Sequence, residues 1–293
     1  MLSRMVASFY WIGRYTERID YTARLADVNL YGQHQLKEQE DYCHSIMNYL
    51  TYARNNVREV RQYASNRMWD SINSFYLWLA EQKNTKEQQT PFKLLNRVRN
   101  EVSLFQNVTD SSMLHEVEWG FLNAGEYLER AENTARMILL FLESLDEVED
   151  DLRSIDYHRL FTLLESVDGV EAFRKIYANQ FTLDKIVEFL LLNSVFSRST
   201  YFCLFAIEEN LKEVKIEYQL DHLAKVIRLV NRLRALLFQA LDLNGKTISE
   251  YREFIHAIIL GCSQISQEIE RSIAYDPEVT VAENFPRKLA ELV

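Results

Sequence analysis

The sequence predicts an all-α fold, a single multi-helix bundle of about eleven helices with an internal duplication. Three observations carry that prediction. Glycine and proline together number only ten in 293 residues, too few to punctuate a chain of short strands. No Asn-Gly or Asp-Gly stands between two runs of alternating pattern, and Asp168-Gly169 lies between segments of helical period. Apolar residues recur at i, i+3/i+4 through most of the chain.

The elements follow in order. Ser3 is placed to cap a first helix that runs to about Tyr31, and a second spans roughly Glu38 to Tyr63. Ser65 caps a third, whose apolar face is Met68, Trp69, Ile72, Phe75, Tyr76 and Leu79. The polar stretch EQKNTKEQQ reads as a loop. Thr90-Pro91 restarts the helix, with proline at the first helical position, where its missing N–H costs nothing. After a break at VTDSS a long helix runs from about Met113 to Leu145, and the acidic run Asp146 to Asp151 reads as a solvated connection. Shorter helices are expected over Tyr157–Ser166, Gly169–Ala178 (with Asp168 as cap) and Leu183–Leu192 (capped by Thr182). Another runs from about Ser199 to Leu211. Leu220, Leu223, Ile227, Val230, Leu233 and Leu237 mark a long amphipathic helix. A last helix covers Ile248 to Tyr275 and stops before Asp276-Pro277. No low-complexity linker divides the chain, so residues 1–293 read as one domain.

Composition narrows the function. A net charge of −10 argues against a general nucleic-acid binder. Cys43, Cys203 and Cys262 are odd in number and far apart, with no C-x-x-C pair, and read as free thiols of a reducing cytoplasm. The apolar stretch Phe189 to Ile207 has Asn193, Ser194, Ser197, Arg198, Ser199 and Thr200 at its centre. An arginine at a bilayer centre costs roughly 2.5–3.5 kcal/mol, so this stretch is expected at the heart of a cytoplasmic bundle. Glu253-x-x-His256, with Asp41-x-x-His44 as an imperfect second pair, leaves a di-metal carboxylate bundle as a minor alternative. No phosphate loop, G-x-S-x-G or H-E-x-x-H is present.

The informative feature is a repetition. IGRYTERIDYTARL (Ile12–Leu25) returns as AGEYLERAENTARM (Ala124–Met137), within repeat motifs near 10–27 and 122–139. On a helical wheel with Gly13 at zero, Glu17 lies at about 40°, Asp20 at about −20° and Arg24 at about 20°. Gly13, Glu17, Asp20 and Arg24 thus form one line, set apart from the apolar face of Ile12, Ile19, Ala23 and Ala26 and flanked by Arg14 and Arg18. Gly125, Glu129, Glu132 and Arg136 repeat the line, with Arg130 in the place of Arg18. Asp20–Arg24 and Glu132–Arg136 are favourable i, i+4 pairs, but Glu17/Asp20 and Glu129/Glu132 set like charges one turn apart. Such pairs require an outside cation: arginine from another helix, a metal, or a substrate amine. Each helix-interior glycine costs about 1 kcal/mol relative to alanine, which points to a close approach at that turn.

Two further sets of residues stand out. Arg54, Arg58 and Arg61 share one helical side, able to clamp anions or to answer the acidic lines, while Trp69 and Asn73 read as packing and helix-bridging residues. Arg198, between two very apolar runs, requires a carboxylate partner or a cavity.

The opening MLSRMVASFYWIGRYTERIDYTARL together with GEYLERAENTAR resembles the alpha-E family of all-helical bacterial proteins with a Glu-Arg motif. ARNNVREVR…MWDSIN and FLLLNSVFSRSTYFCL extend the likeness over most of the chain. The chain departs from the family pattern in two places. Members commonly carry Arg-Glu-Asn-Ala-Arg where it has Arg54-Asn55-Asn56-Val57-Arg58, and a proline where Ser197 precedes the arginine. The resemblance implies association with a circularly permuted ATP-grasp protein, and with a transglutaminase-like protease. ATP-grasp enzymes activate a carboxylate as an acyl phosphate and join it to an amine. ATP and Mg²⁺ would then belong to that partner, with no cofactor in this chain. Two roles stay open. In one, Glu17, Asp20, Glu129 and Glu132 handle an attacking amine while Arg18, Arg24, Arg130, Arg136, Arg54, Arg58 and Arg198 bind carboxylate or phosphate. In the other the chain is a non-catalytic helical module that docks the partner, and the charged lines are architecture.

Overall fold

A computed structural model describes residues 2–31, 36–82, 90–145, 155–218, 220–243 and 247–274. Among these residues there are eleven α-helices, a short 3₁₀ turn and no strand. The helices are α1 (Leu2–Tyr31), α2 (Leu36–Glu59), α3 (Asn66–Gln82), α4 (Pro91–Ser112), α5 (Val117–Glu143), α6 (Tyr157–Ser166), α7 (Val170–Tyr177), α8 (Leu183–Leu192), α9 (Thr200–Tyr218), α10 (Leu223–Leu237) and α11 (Ile248–Ala274); the 3₁₀ turn is Phe238–Leu243.

Two rings of four helices organise the molecule. In one, α1 packs on α2, α2 on α3, α3 on α4, and α4 returns to α1. In the other, α5 packs on α9, α9 on α10, α10 on α11, and α11 returns to α5. The rings meet where α1 crosses α5, and the short helices α6, α7 and α8 pack on one another, α6 also against α1 and α5 and α8 against α5 and α9. The two motif helices therefore lie at the centre. Ile12, Ile19, Ala23 and Ala26 on α1 and Ala124, Ala131, Ala135 and Ile138 on α5 are all buried.

Several helix ends fall where side-chain chemistry sets them. Ser65 accepts the Met68 amide at 3.0 Å, Asp156 accepts that of His158 at 3.2 Å and Thr182 that of Lys185 at 3.4 Å. Thr90 makes no such bond, and Pro91 alone marks the start of α4. Other ends correct the sequence reading. Ser3 lies inside α1 rather than at its cap. VTDSS is not a break: Thr109 and Ser112 donate their hydroxyls to the carbonyls of Phe105 and Val108 at 2.8 and 2.6 Å, so α4 continues to Ser112. The stop comes at Met113–Glu116, α2 ends at Glu59, and α9 runs past Leu211 to Tyr218. Asp168 does not cap α7, whose N-cap is Gly169; it adopts φ 52° and turns its carboxylate elsewhere. The loop residues 83–89, the acidic run and the segment after Ala274 lie wholly or largely outside the described residues.

No helix among the described residues is long and apolar enough to cross a membrane. Phe189–Ile207 is instead the end of α8, a loop and the start of α9. The di-metal alternative finds no site: Glu253, His256, Asp41 and His44 are exposed, and no three His, Cys, Asp or Glu side chains converge among the described residues.

Candidate functional site

The site is a charged seam along the α1–α5 crossing, and glycine makes it possible. A Cβ on Gly13 would collide with the backbone carbonyl of Leu122, and one on Gly125 with that of Tyr10. Tyr10 and Leu122 each precede their own helix's glycine by three residues, so the contact is reciprocal. Backbone meets backbone at this turn, and the next turn of each helix is pressed against the other.

That turn carries Glu17-Arg18 on α1 and Glu129-Arg130 on α5, and each pair answers the other. Arg130 clasps Glu17 with two bonds, Nε to Oε1 at 3.1 Å and Nη2 to Oε2 at 2.8 Å. Arg18 Nε donates to Glu129 Oε1 at 2.8 Å. One turn further on, Arg24 holds Asp20 at 2.7 Å and Arg136 holds Glu132 at 2.6 Å, each within its own helix.

Two more arginines bridge the like-charged pairs. Arg198, from the loop between α8 and α9, reaches Glu17 at 3.2 Å and Asp20 at 2.9 Å. Arg14 bonds Glu129 and also lies 3.3 Å from Glu132, while its remaining nitrogen donates to Tyr10 Oη and to Ser266 Oγ on α11. Each of the four carboxylates is thus held by two arginines.

Local structure aims Arg198. Asn193 accepts the amides of Val195 and Phe196 at 3.0 and 2.7 Å, Ser199 Oγ bonds the Asn193 carbonyl and accepts the Phe202 amide, and Thr134 on α5 donates to the Arg198 carbonyl at 2.8 Å. Arg24 also binds Asp168 at 2.6 Å, which is where that residue's carboxylate goes.

Burial makes this lattice electrostatically stiff. Glu17, Asp20, Glu129 and Glu132 are 1%, 3%, 5% and 8% exposed. Burial alone would raise the Asp20 pKa, but Arg198 and Arg24 hold it down at about 2. Burial likewise opposes charge on Arg14, Arg24 and Arg130; Tyr10 and Glu129, Asp20, and Glu17, respectively, outweigh it, and all three pKa values rise. Little space remains inside. A void of about 10 Å³ is bordered by Glu17, Tyr21, Arg24, Arg130, Asn133 and Arg198 among others. That is room for one water at most, and the otherwise unpartnered Asn133 Nδ2 borders it.

Of the residues singled out from sequence, Glu17, Asp20, Glu129, Glu132, Arg18, Arg24, Arg130, Arg136 and Arg198 come together here. Arg54 and Arg58 do not. Arg54 bonds Asn73 Oδ1 at 2.8 Å and lies over the rings of Tyr76 and Trp69, at 4.5 and 5.4 Å; Arg58 is exposed and Arg61 stacks on Trp69. The arginines of α2 therefore do not answer the acidic lines. Arg14 was seen from sequence only as a flank, and Glu126 was not singled out. Glu126 bonds Arg130, and burial, only partly countered by Arg130, raises its pKa. The clue to both was the one charge reversal between the copies: Gly-Arg14-Tyr becomes Gly-Glu126-Tyr. Ser266 left no sequence signal.

A model of a family described as a predicted alpha-helical domain with a conserved ER motif matches residues 1–41 and 33–273. The chain belongs to the Alpha-E family. Neither the curated proteins nor the solved structures compared with it include a match. In this Alpha-E chain the two Glu-Arg dipeptides have a definite geometry: the Glu of each is neutralised by the Arg of the other.

Proposed function

We propose that this chain is the helical, non-catalytic partner of a circularly permuted ATP-grasp enzyme in an amide-bond-forming or peptide-modifying system. ATP and Mg²⁺ act on the enzyme, a transglutaminase-like protease is a further partner, and the site of action is the cytoplasm. The family match supports the helical class, and the resemblance supplies the association. One observation favours a structural role for the repeated lines: each of the four buried carboxylates is held by two arginines, and the void that Glu17 borders measures only about 10 Å³. A carboxylate so engaged is already neutralised, and the void beside Glu17 has no room for a substrate amine with its carbon chain.

The same reading explains why the motif occurs twice. We take the two rings as copies of one helical unit, α1–α4 and α5 with α9–α11, joined by their equivalent first helices. The reciprocal contacts at Gly13 and Gly125, and the exchanged Glu-Arg pairs, support that duplication.

The Glu17→Gln, Glu129→Gln double variant tests the assignment, with thermal unfolding, capture of the co-expressed ATP-grasp protein and the joint ligation measured side by side. The expected result is a lower melting temperature, with partner capture and ligation retained wherever the variant is folded. A folded variant that captures its partner while ligation is lost would make the carboxylates catalytic.

A further inference from the structure

A second cavity lies beside the seam, and its chemistry is different. About 320 Å³ in volume, it sits between α1, α4 and α5, at the lower end of the range for small-molecule sites. Among its walls are Thr16, Gln106, Asp110, Trp119, Asn123 and Glu126. No lysine or arginine lines it.

The hydrogen bonds around it leave mostly oxygen to face a guest. Thr16 donates its hydroxyl to the Ile12 carbonyl, and Thr109, also in the wall, donates to Phe105. Asn123 directs its amide nitrogen at the Trp119 carbonyl, at 3.0 Å, and Gln106 directs its own at Glu17 Oε2, at 3.4 Å. All four keep acceptor lone pairs for a ligand, and Asn123 and Gln106 keep one amide N–H each besides. Two carboxylates join them: Glu126, whose side chain is 12% exposed, and Asp110, 67% exposed at the rim. The ring of Trp119 forms an apolar wall, backed by His115 stacked at 3.9 Å.

An anion would meet two carboxylates and no lysine or arginine in the walls, and an apolar guest would offer no donor to the Asn123 and Gln106 carbonyls. A group with several N–H donors and a positive charge satisfies both conditions. We propose that this cavity binds a primary alkylammonium group, its three N–H donors shared among the Glu126 and Asp110 carboxylates and the Asn123 and Gln106 carbonyls, with its alkyl stem against Trp119. The proposal is independent of the ATP-grasp partner, because it concerns the chain alone.

The test is a titration of the ¹⁵N-labelled full chain with three probes: n-butylammonium, n-butanol and tetramethylammonium. Butylammonium is expected to shift the Trp119 indole and Asn123 side-chain signals saturably, whereas butanol lacks the charge and tetramethylammonium lacks donors, and both bind more weakly. Loss of one charged contact in Glu126→Gln is expected to weaken butylammonium about tenfold or more. Because Glu126 also holds Arg130, two further variants guard against a folding defect. Asp110→Asn at the rim should weaken binding several-fold, and Asn123→Leu, which removes a carbonyl acceptor from the wall, should weaken it likewise. Equal binding of butanol, absence of saturable butylammonium shifts, or unchanged affinity in the folded Glu126→Gln and Asp110→Asn variants would each overturn the proposal.

Discussion

Arg130 holds two carboxylates from different helices, Glu17 and Glu126. Replacing it by methionine leaves Glu17 with Arg198 and removes the ion-pair partner of Glu126. Breaking a buried pair costs about 3–5 kcal/mol, because a desolvated charge remains. Urea denaturation of Arg130→Met should show a loss of that size, and Arg130→Lys should recover little of it, since an ammonium cannot reproduce the two-bond clasp. Arg58→Met, at an exposed position, should change stability by no more than about 0.5 kcal/mol. Asp20 makes the matching statement in pH. Its carboxyl is held at about 2 against an ordinary value of 3.8, so the folded state binds that proton less tightly than the unfolded chain. The stabilisation is complete above pH 3.8 and is lost as pH falls towards 2. Compared by chemical denaturation, wild type should exceed Asp20→Asn by on the order of 2 kcal/mol from this proton linkage at neutral pH, and the difference should shrink through that acid window.

At the scale of helices, the crossing turns on two glycines that face backbone. Gly125→Ala places a methyl group on the Tyr10 carbonyl, and neither helix can move aside without breaking the seam. It should cost about 3 kcal/mol or more. A Cβ on Gly120, on the same helix, would press on the Val214 side chain rather than on backbone, and a side chain yields more readily, so Gly120→Ala should cost less than Gly125→Ala. Thermal melts of the two variants side by side measure the contrast. Helix α8 was legible to the residue because the Thr182 cap and the apolar period agree, and α6 from its apolar period alone. Ends went wrong where a side chain had two uses. Thr109 and Ser112 look like loop formers, but their hydroxyls found carbonyls one turn back. Asp168 looks like a cap, but Arg24, far away in sequence, claims it.

For the molecule as a whole, the seam is the joint between two rings, so both should unfold together: far-UV and near-UV circular dichroism are expected to give coincident denaturation curves. The repeat in the sequence announced that Glu17, Asp20, Glu129 and Glu132 need cations, and the wheel placed each pair on one line of its own helix. It did not announce which cations. Arg198 comes from a loop ordered by Asn193, and Arg14 is steered by Ser266 of α11; both depend on tertiary placement that helical period does not encode. The charge reversal at Arg14 and Glu126 carries a consequence of its own. Within the repeated segment α1 has three arginines against two acids, and α5 has two arginines against three acids. Joined to each other the helices are neutral, whereas two copies of α1 would leave an excess of positive charge and two copies of α5 an excess of negative charge in a buried seam. Helices alike enough to be mistaken for one another thus tell like from unlike by a single residue apiece: an α1 that meets a second α1, or an α5 that meets a second α5, is rejected, and only the unlike pair closes.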